Sequence, residues 1–351
     1  MGVLNFNENN ITVIFLSCRR SLYKRHIYNI LAYPDGAMMD VTYSREWVTD
    51  EIWENYKSYK NKDAVIIGIY TISDEDHFIP LRKVRLLNLN IEGNIIHINF
   101  LLSDKWAVCE ELMKCHEIIS QFTDIPERKK DETKHSGGKF VQVQEKAIFN
   151  YSREIKAWEN IIKNIGSQEE FKKGIFYRFV NIKDSSGEKI KIKKMDNTYG
   201  YELVEGHSYL AEISFNFGKE PPRDSESSYF KIYGPELRIV PQIRCLEFRI
   251  YRNDFIISTP ESPNNVRTLL LMKIKHSYSE PRIEGPFLEI PIKLKASKKR
   301  YASYLLIFIG LLIIISSDYF YLIVKDPDPT MIFVVKLIGT FVTLGGLRIL
   351  K

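Results

Sequence analysis

Two ionisable residues stand inside otherwise apolar runs near the C-terminus: Asp318 within residues 301–324, YASYLLIFIGLLIIISSDYFYLIV, and Lys336 within residues 331–350, MIFVVKLIGTFVTLGGLRIL. A charge in such a run is costly unless it meets a counter-charge, a bundle interior or a water path. Asp318 lies seven residues before Lys325, and Lys336 lies six after Thr330. With a rise of ~1.5 Å per helical residue both reach a depth of roughly 10 Å from the same end, so they can pair. Such a pair either serves a transmembrane path or fixes the register of two helices, and Lys336 alone can also snorkel toward headgroups. Small and polar residues accompany it: Lys336, Gly339, Thr343 and Gly346 on one run, and Ser303, Gly310 and Ser317 at intervals of seven on the other. Stripes of this kind let helix backbones approach closely. They suit either the lining of a pore built from several chains or tight packing inside a single hairpin.

A second chemistry is suggested by cations among aromatic rings. Arg82, Lys83 and Arg85 surround the start of an apolar alternation, and Arg19, Arg20, Lys24 and Arg25 follow the first strand-like run with Tyr23 and Tyr28 among them. Guanidinium and ammonium groups bind phosphate while rings stack bases, so both groups are candidate contacts for a nucleotide or oligonucleotide. The competing reading is a solvated surface or contact with anionic lipid. Asp74, Glu75, Asp76 and His77 have metal-ligand residue types but read as a solvated turn, and His135 to Lys139 resembles a phosphate loop without the strand that should precede it. GxSxG, GxxxxGK[ST], HExxH and CxxC patterns are absent, so no catalytic residue, metal or cofactor is assigned and the chain does not read as an enzyme. Cys18, Cys109, Cys115 and Cys245 lack paired ligand spacing and read as reduced, mostly buried thiols.

The elements that position these residues follow from periodicity. Each C-terminal run is long enough to cross a hydrocarbon core that needs roughly 20 helical residues, and the link KDPDPT forces an antiparallel hairpin. Lys293, Lys295, Lys298, Lys299 and Arg300 crowd the entry to the first run, and Arg348 and Lys351 close the second, against Lys325 with Asp326 and Asp328 in the link. Basic flanks stay cytoplasmic, which places both ends and the large N-terminal part in the cytosol and the link outside. The start of the chain does not read as a signal peptide, and Phe6 weakens a myristoylation motif at Gly2. The formal net charge of +6 partly reflects the juxtamembrane cluster.

Residues 1–126 read as a mixed α/β sensor domain, in which VRLLNLN and IIHINF form a hairpin about Gly93 and Asn94. YSREWVTDEIWENYKSY predicts a short aromatic helix, and DKWAVCEELMKCHEIISQF after Ser103 an amphipathic one. Residues 127–172 comprise a charged linker and a helix striped by Ile148, Tyr151, Ile155, Trp158, Ile162 and Ile165. From 173 to 297 the period becomes two, with IFYRFVNI, KIKIKKM, SYLAEISFNF, LEFRIYR, DFIISTP, TLLLMKI and FLEIPIKLK as strands of a β-sandwich or Greek-key barrel. The fold class is therefore an α+β cytosolic region with a β-sandwich-like domain, followed by the two-helix hairpin at 301–350.

This order of parts resembles bacterial anti-phage defence effectors in which a cytosolic sensor is joined to short membrane helices, including nucleotide-gated effectors of cyclic-oligonucleotide systems and the channel component of Hailong-type defence. The resemblance covers architecture and no residue-level motif. It implies a homo-oligomeric pore in the bacterial inner membrane, governed by a nucleotide or short oligonucleotide that a partner enzyme makes, with Asp318, Lys336, Gly339, Thr343, Gly346 and Ser317 in the membrane part. The alternative is a membrane-anchored adaptor whose β-rich domain binds a protein or lipid and whose hairpin is only an anchor.

Overall fold

The computed structural model describes residues 10–17, 21–72, 75–108, 112–122, 124–126, 137–145, 149–168, 171–220, 228–246, 251–261, 266–276, 287–323 and 329–350. Runs rich in β-branched and aromatic residues form strands, which dominate the chain. The first part holds β1 Asn10–Ser17, α1 Ser21–Ala32, β2 Met38–Ser44, α2 Asp50–Glu54, β3 Asp63–Ile72, β4 Glu75–Glu92, β5 Ile95–Ala107, α3 Leu112–Ser120, β6 Val141–Glu145, β7 Tyr151–Ser152 and α4 Ile155–Gly166. Its strands make one sheet in the order β2-β5-β4-β3-β1-β6, with β7 on β5. β1 runs parallel to β3, with Val13 opposite Val65. The predicted hairpin is β4 and β5, turned at Gly93 with φ of 59°, a conformation glycine adopts without strain.

The second part holds β8 Ile175–Lys183, β9 Lys189–Ile190, β10 Lys193–Met195, β11 Thr198–Val204, β12 Ser208–Phe217, β13 Ser228–Tyr233, β14 Arg238–Val240, β15 Ile243–Cys245, β16 Tyr251–Ser258, β17 Arg267–His276 and β18 Phe287–Lys295. These form a six-stranded sheet, β10-β11-β18-β17-β13-β15, and a five-stranded one, β14-β16-β12-β8-β9. Phe230 of the first touches Tyr177, Phe215 and Phe255 of the second, with ring centroids 4.9, 5.0 and 5.5 Å away. Edge-to-face packing of that kind adds to the burial of the rings.

Several local expectations change. β5 continues through Ala107, because Leu102 and Trp106 bury on the sheet, so the stretch from Asp104 to Ala107 is strand and not helix, and the described helix is α3 Leu112–Ser120. The aromatic segment after Ser44 breaks into α2 flanked by two 3₁₀ turns, and Tyr151 belongs to β7 while the helical stripe starts at Ile155. α1 was not expected. Ile27, Ile30 and Leu31 bury along it, and the indole Nε1 of Trp158 on α4 donates to the Leu31 carbonyl at 2.9 Å. The thiol reading is corrected at two positions. Cys115 is disulfide-bonded, because closeness of sulfur atoms follows from the fold and not from sequence spacing, and Cys245 is exposed on the edge strand β15.

The chain divides into two compact units. The larger comprises Met1–Glu202, Ser208–Ser258 and Arg267–Lys293; the smaller comprises Leu203–His207, Thr259–Val266 and Leu294–Lys351. Within the smaller, α5 Lys298–Ile323 and α6 Pro329–Leu350 are long and apolar enough to cross a membrane. Glu205, 3% exposed, receives Arg300 Nη1 at 2.8 Å and the Ser297 amide at 2.9 Å at the start of α5. An acidic group at a helix N-terminus satisfies an orphan N–H and complements the helix dipole.

Candidate functional site

The first sequence-selected cation group separates in the structure. β4 is irregular between Arg82 and Val84, and the Arg82 side chain is wholly buried while Lys83 and Arg85 turn away from it. Arg82 Nη1 donates to the carbonyls of Ile30 at 2.9 Å and Tyr33 at 2.8 Å, Nε to that of Ser103 at 2.6 Å, and Nη2 to Asp35 Oδ1 at 2.5 Å. The guanidinium thus closes the C-terminal end of α1, where helix carbonyls lack partners and the dipole favours a cation. Four of its five N–H donors are spent on the protein. Lys83 and Arg85 share Asp63, at 2.6 and 3.9 Å, and form a surface ion-pair group.

The remaining candidates are scattered. Arg25 is exposed on α1 with its guanidinium 5.5 Å from the Phe287 ring centre, and Arg19 and Arg20 lie outside the described residues. Lys139, from the loop resembling a phosphate cradle, donates to the Glu46 carbonyl at 2.7 Å. Among the described residues no group of His, Cys, Asp and Glu side chains is placed to hold a metal.

In the hairpin the two small-residue stripes face each other. A Cβ added to Gly310 would fall on Thr343 Oγ1 and lie 2.7 Å from the Gly339 carbonyl; one added to Gly346 would lie 2.7 Å from Ile307 and 2.8 Å from the Ser303 carbonyl. Ser303 and Ser317 are buried there, with Ser317 Oγ donating back to the Ile314 carbonyl at 2.6 Å and Thr343 Oγ1 to that of Gly339 at 2.8 Å. The exposed surface is instead apolar, with Leu305, Phe308, Leu312, Phe333 and Phe341 among its residues. Lys336 is half-buried, and the Asp318 side chain lies outside the described residues.

A charged cleft within the larger unit brings together residues that sequence reading did not select. It has a volume of about 540 Å³ and is lined by Asp35, Asp104, Arg153, Ile155, Glu159, Arg178, Val180, Lys189, Ser214 and Arg252. Arg178 sits mid-strand in β8, 6% exposed, with its Cζ 4.8 Å from the Trp106 ring centre, and Arg82 stacks over the same ring at 4.3 Å. Asp35 serves both guanidiniums, but its Oδ2 lies 3.7 Å from Arg178 Nη2, beyond hydrogen-bond length, and Arg178 Nε has no hydrogen-bond partner. Burial pushes the Arg82 guanidinium down to about 10 against the pull of Asp35, and burial lowers Arg178 as well. Two buried cations therefore share one carboxylate that is itself 37% exposed. On the rim, Arg153 pairs with Asp104 at 2.8 Å, and Arg252 pairs with Glu212, which also takes Lys183 at 2.5 Å. Lys189 and Glu159 have no ion-pair partner among the described residues. The available signal was Arg178 itself, a lone cation inside the apolar run IFYRFVNI.

Compared with known proteins, the chain matches no family model and no curated sequence.

Proposed function

We propose that the chain is a membrane-tethered binding protein in which the hairpin anchors and the larger unit, whose six- and five-stranded sheets we read as a β-sandwich, receives the ligand. The observation that carries this is the packing of the hairpin. Gly310 against Gly339 and Thr343, and Gly346 against Ser303 and Ile307, use the small-residue stripes inside one chain. Large apolar side chains then face outward, as a lipid-embedded anchor requires. The basic residues flanking the spans favour a cytosolic larger unit. The disulfide at Cys115 favours an oxidising side instead. Labelling from outside with Asp328→Cys and Lys351→Cys decides between them: modification at 328 alone supports the cytosolic placement, and modification at 351 alone reverses it.

A second reading is a ligand-controlled pore assembled from several chains, as in the defence effectors that the architecture resembles. Lys336, half-buried within a span, is the observation that favours it. Membrane potential in cells expressing the full chain, compared with a chimera carrying an unrelated two-span anchor at matched expression, separates the two. The anchor reading expects an unchanged potential in both. Depolarisation by the full chain that disappears in the chimera would overturn it in favour of the pore.

A further inference from the structure

The cleft carries more information than its being a concavity. Arg153 and Arg252 already hold carboxylates, so the cations left for a ligand are Arg178, buried and short of partners, and Lys189, exposed at the rim. A buried guanidinium with an unused Nε, whose one carboxylate lies 3.7 Å away and is shared with Arg82, is a desolvated donor short of acceptors, because leaving it so is costly. Two such cations match a dianion better than a monoanion, and the planar fork of arginine suits phosphate oxygens. Asp104 and Glu159, on the same walls, are acceptors for hydroxyl groups of the molecule that carries the phosphate. Among the described residues the lining has no aromatic side chain, and Trp106 is fully buried beneath the two guanidiniums, so none of them offers a nucleobase a ring to stack on. The volume of about 540 Å³ suits a small molecule.

We propose that this cleft binds a small hydroxylated phosphate monoester, with the phosphate on Arg178 and Lys189 and the hydroxyl-bearing frame toward Asp104 and Glu159. The inference rests on reading the larger unit as the binding part, and it is independent of whether the hairpin is anchor or pore.

The test is calorimetric titration of the full chain in nanodiscs of zwitterionic lipid with glycerol 3-phosphate, inorganic phosphate, AMP and glycerol, alongside thermal melting. Glycerol 3-phosphate is expected to bind more tightly than inorganic phosphate or AMP, and glycerol not at all. Arg178→Lys, which keeps the charge and loses the fork, should weaken binding at least tenfold. Lys189→Gln, an exposed change that leaves the fold intact, should weaken it severalfold. Arg178→Gln should abolish binding without lowering the melting temperature, since it removes the surplus cation from beside Asp35; a purely structural Arg178 would lower it. Absence of binding by either phosphate would overturn the proposal. So would binding that survives Arg178→Lys and Lys189→Gln but is lost with Lys298→Gln and Lys299→Gln, which would place the anion on the juxtamembrane lysines. Neither result bears on the membrane-potential comparison, so the two readings fail separately.

Discussion

Replacing Arg82 by Met separates a structural arginine from a surface ligand contact. The variant removes hydrogen bonds to the carbonyls of Ile30, Tyr33 and Ser103 and to Asp35, all from a fully buried side chain. Hydrogen bonds to a charged group contribute about 1.5–3 kcal/mol each, so the four together are worth at least about 6 kcal/mol. Part of that is recovered. Met does not incur the desolvation of a buried charge, which pushes the guanidinium down to about 10. The net expected loss is about 3–5 kcal/mol, comparable with other cases in which one partner of a buried ionic group is removed. For a unit of this size that lowers the melting temperature by on the order of 10 °C. Differential scanning fluorimetry of the full chain in detergent reads it directly. The control is Arg85→Met, three residues along the same strand, whose 63%-exposed side chain sits 3.9 Å from Asp63 and should change stability by under about 1 kcal/mol. Equal melting temperatures for the two variants would refute the assignment of Arg82 as the cap of α1.

Three further expectations follow from other parts of the molecule. Gly346→Leu should loosen the hairpin and lower the melting temperature of the full chain, since even a Cβ at position 346 would lie 2.7 Å from Ile307 and 2.8 Å from the Ser303 carbonyl; an unchanged melting temperature would contradict the self-packed hairpin. Glu205→Ala strands Arg300 and the Ser297 amide and should destabilise the start of α5 by about 1–3 kcal/mol, read as faster amide exchange at Ser297 to Tyr301; unchanged exchange would remove Glu205 from that role. Burial holds His26 below its ordinary 6.5, opposed by Asp40 and helped by Arg25, so the unfolded chain takes up the proton first as pH falls. Stability therefore drops as pH falls below 6.5 toward the folded-state value and levels off beneath it. His26→Gln should flatten that part of a melting-temperature profile between pH 7.5 and 5.5, and an unchanged slope would assign the effect elsewhere.

Strands with clean alternation were legible in the sequence, because period two and turn residues are local properties. β8, β12, β17 and β18 correspond to IFYRFVNI, SYLAEISFNF, TLLLMKI and FLEIPIKLK. The hairpin about Gly93 was legible for the same reason. α1 was not, since SLYKRHIYNILA mixes cations and rings and becomes a helix only when Ile27, Ile30 and Leu31 meet the sheet and Trp158 meets its carbonyl end. Tyr251 and Arg252, read as the end of the strand LEFRIYR, belong with the start of DFIISTP to the single strand β16, while residues 247–250 lie outside the described residues; nothing local in Asn253 and Asp254 shows that the chain does not turn there.

The cleft was illegible for a different reason, and the reason bears on function. Its residues come from β5, α4, β8, β9, β12 and β16 and from the loops after α1 and β7, so no local pattern marks them as one site. Reading cations by proximity along the chain selected Arg82, Lys83 and Arg85, which strand alternation then divided between an interior cap and a surface ion pair. What distinguishes Arg178 from them is the violation it commits. A cation mid-strand among Phe176, Tyr177 and Phe179 lowers local consistency, and Asp35, already bonded to Arg82, does not bring it within hydrogen-bond reach. Sequences give up local consistency mainly where a site demands it. A guanidinium held against the Trp106 ring with its Nε unused is accounted for when an anion completes it. That is why the stability of Arg178→Gln and its loss of phosphate binding must be read together: a site residue trades the first for the second, and a scaffold residue loses stability alone.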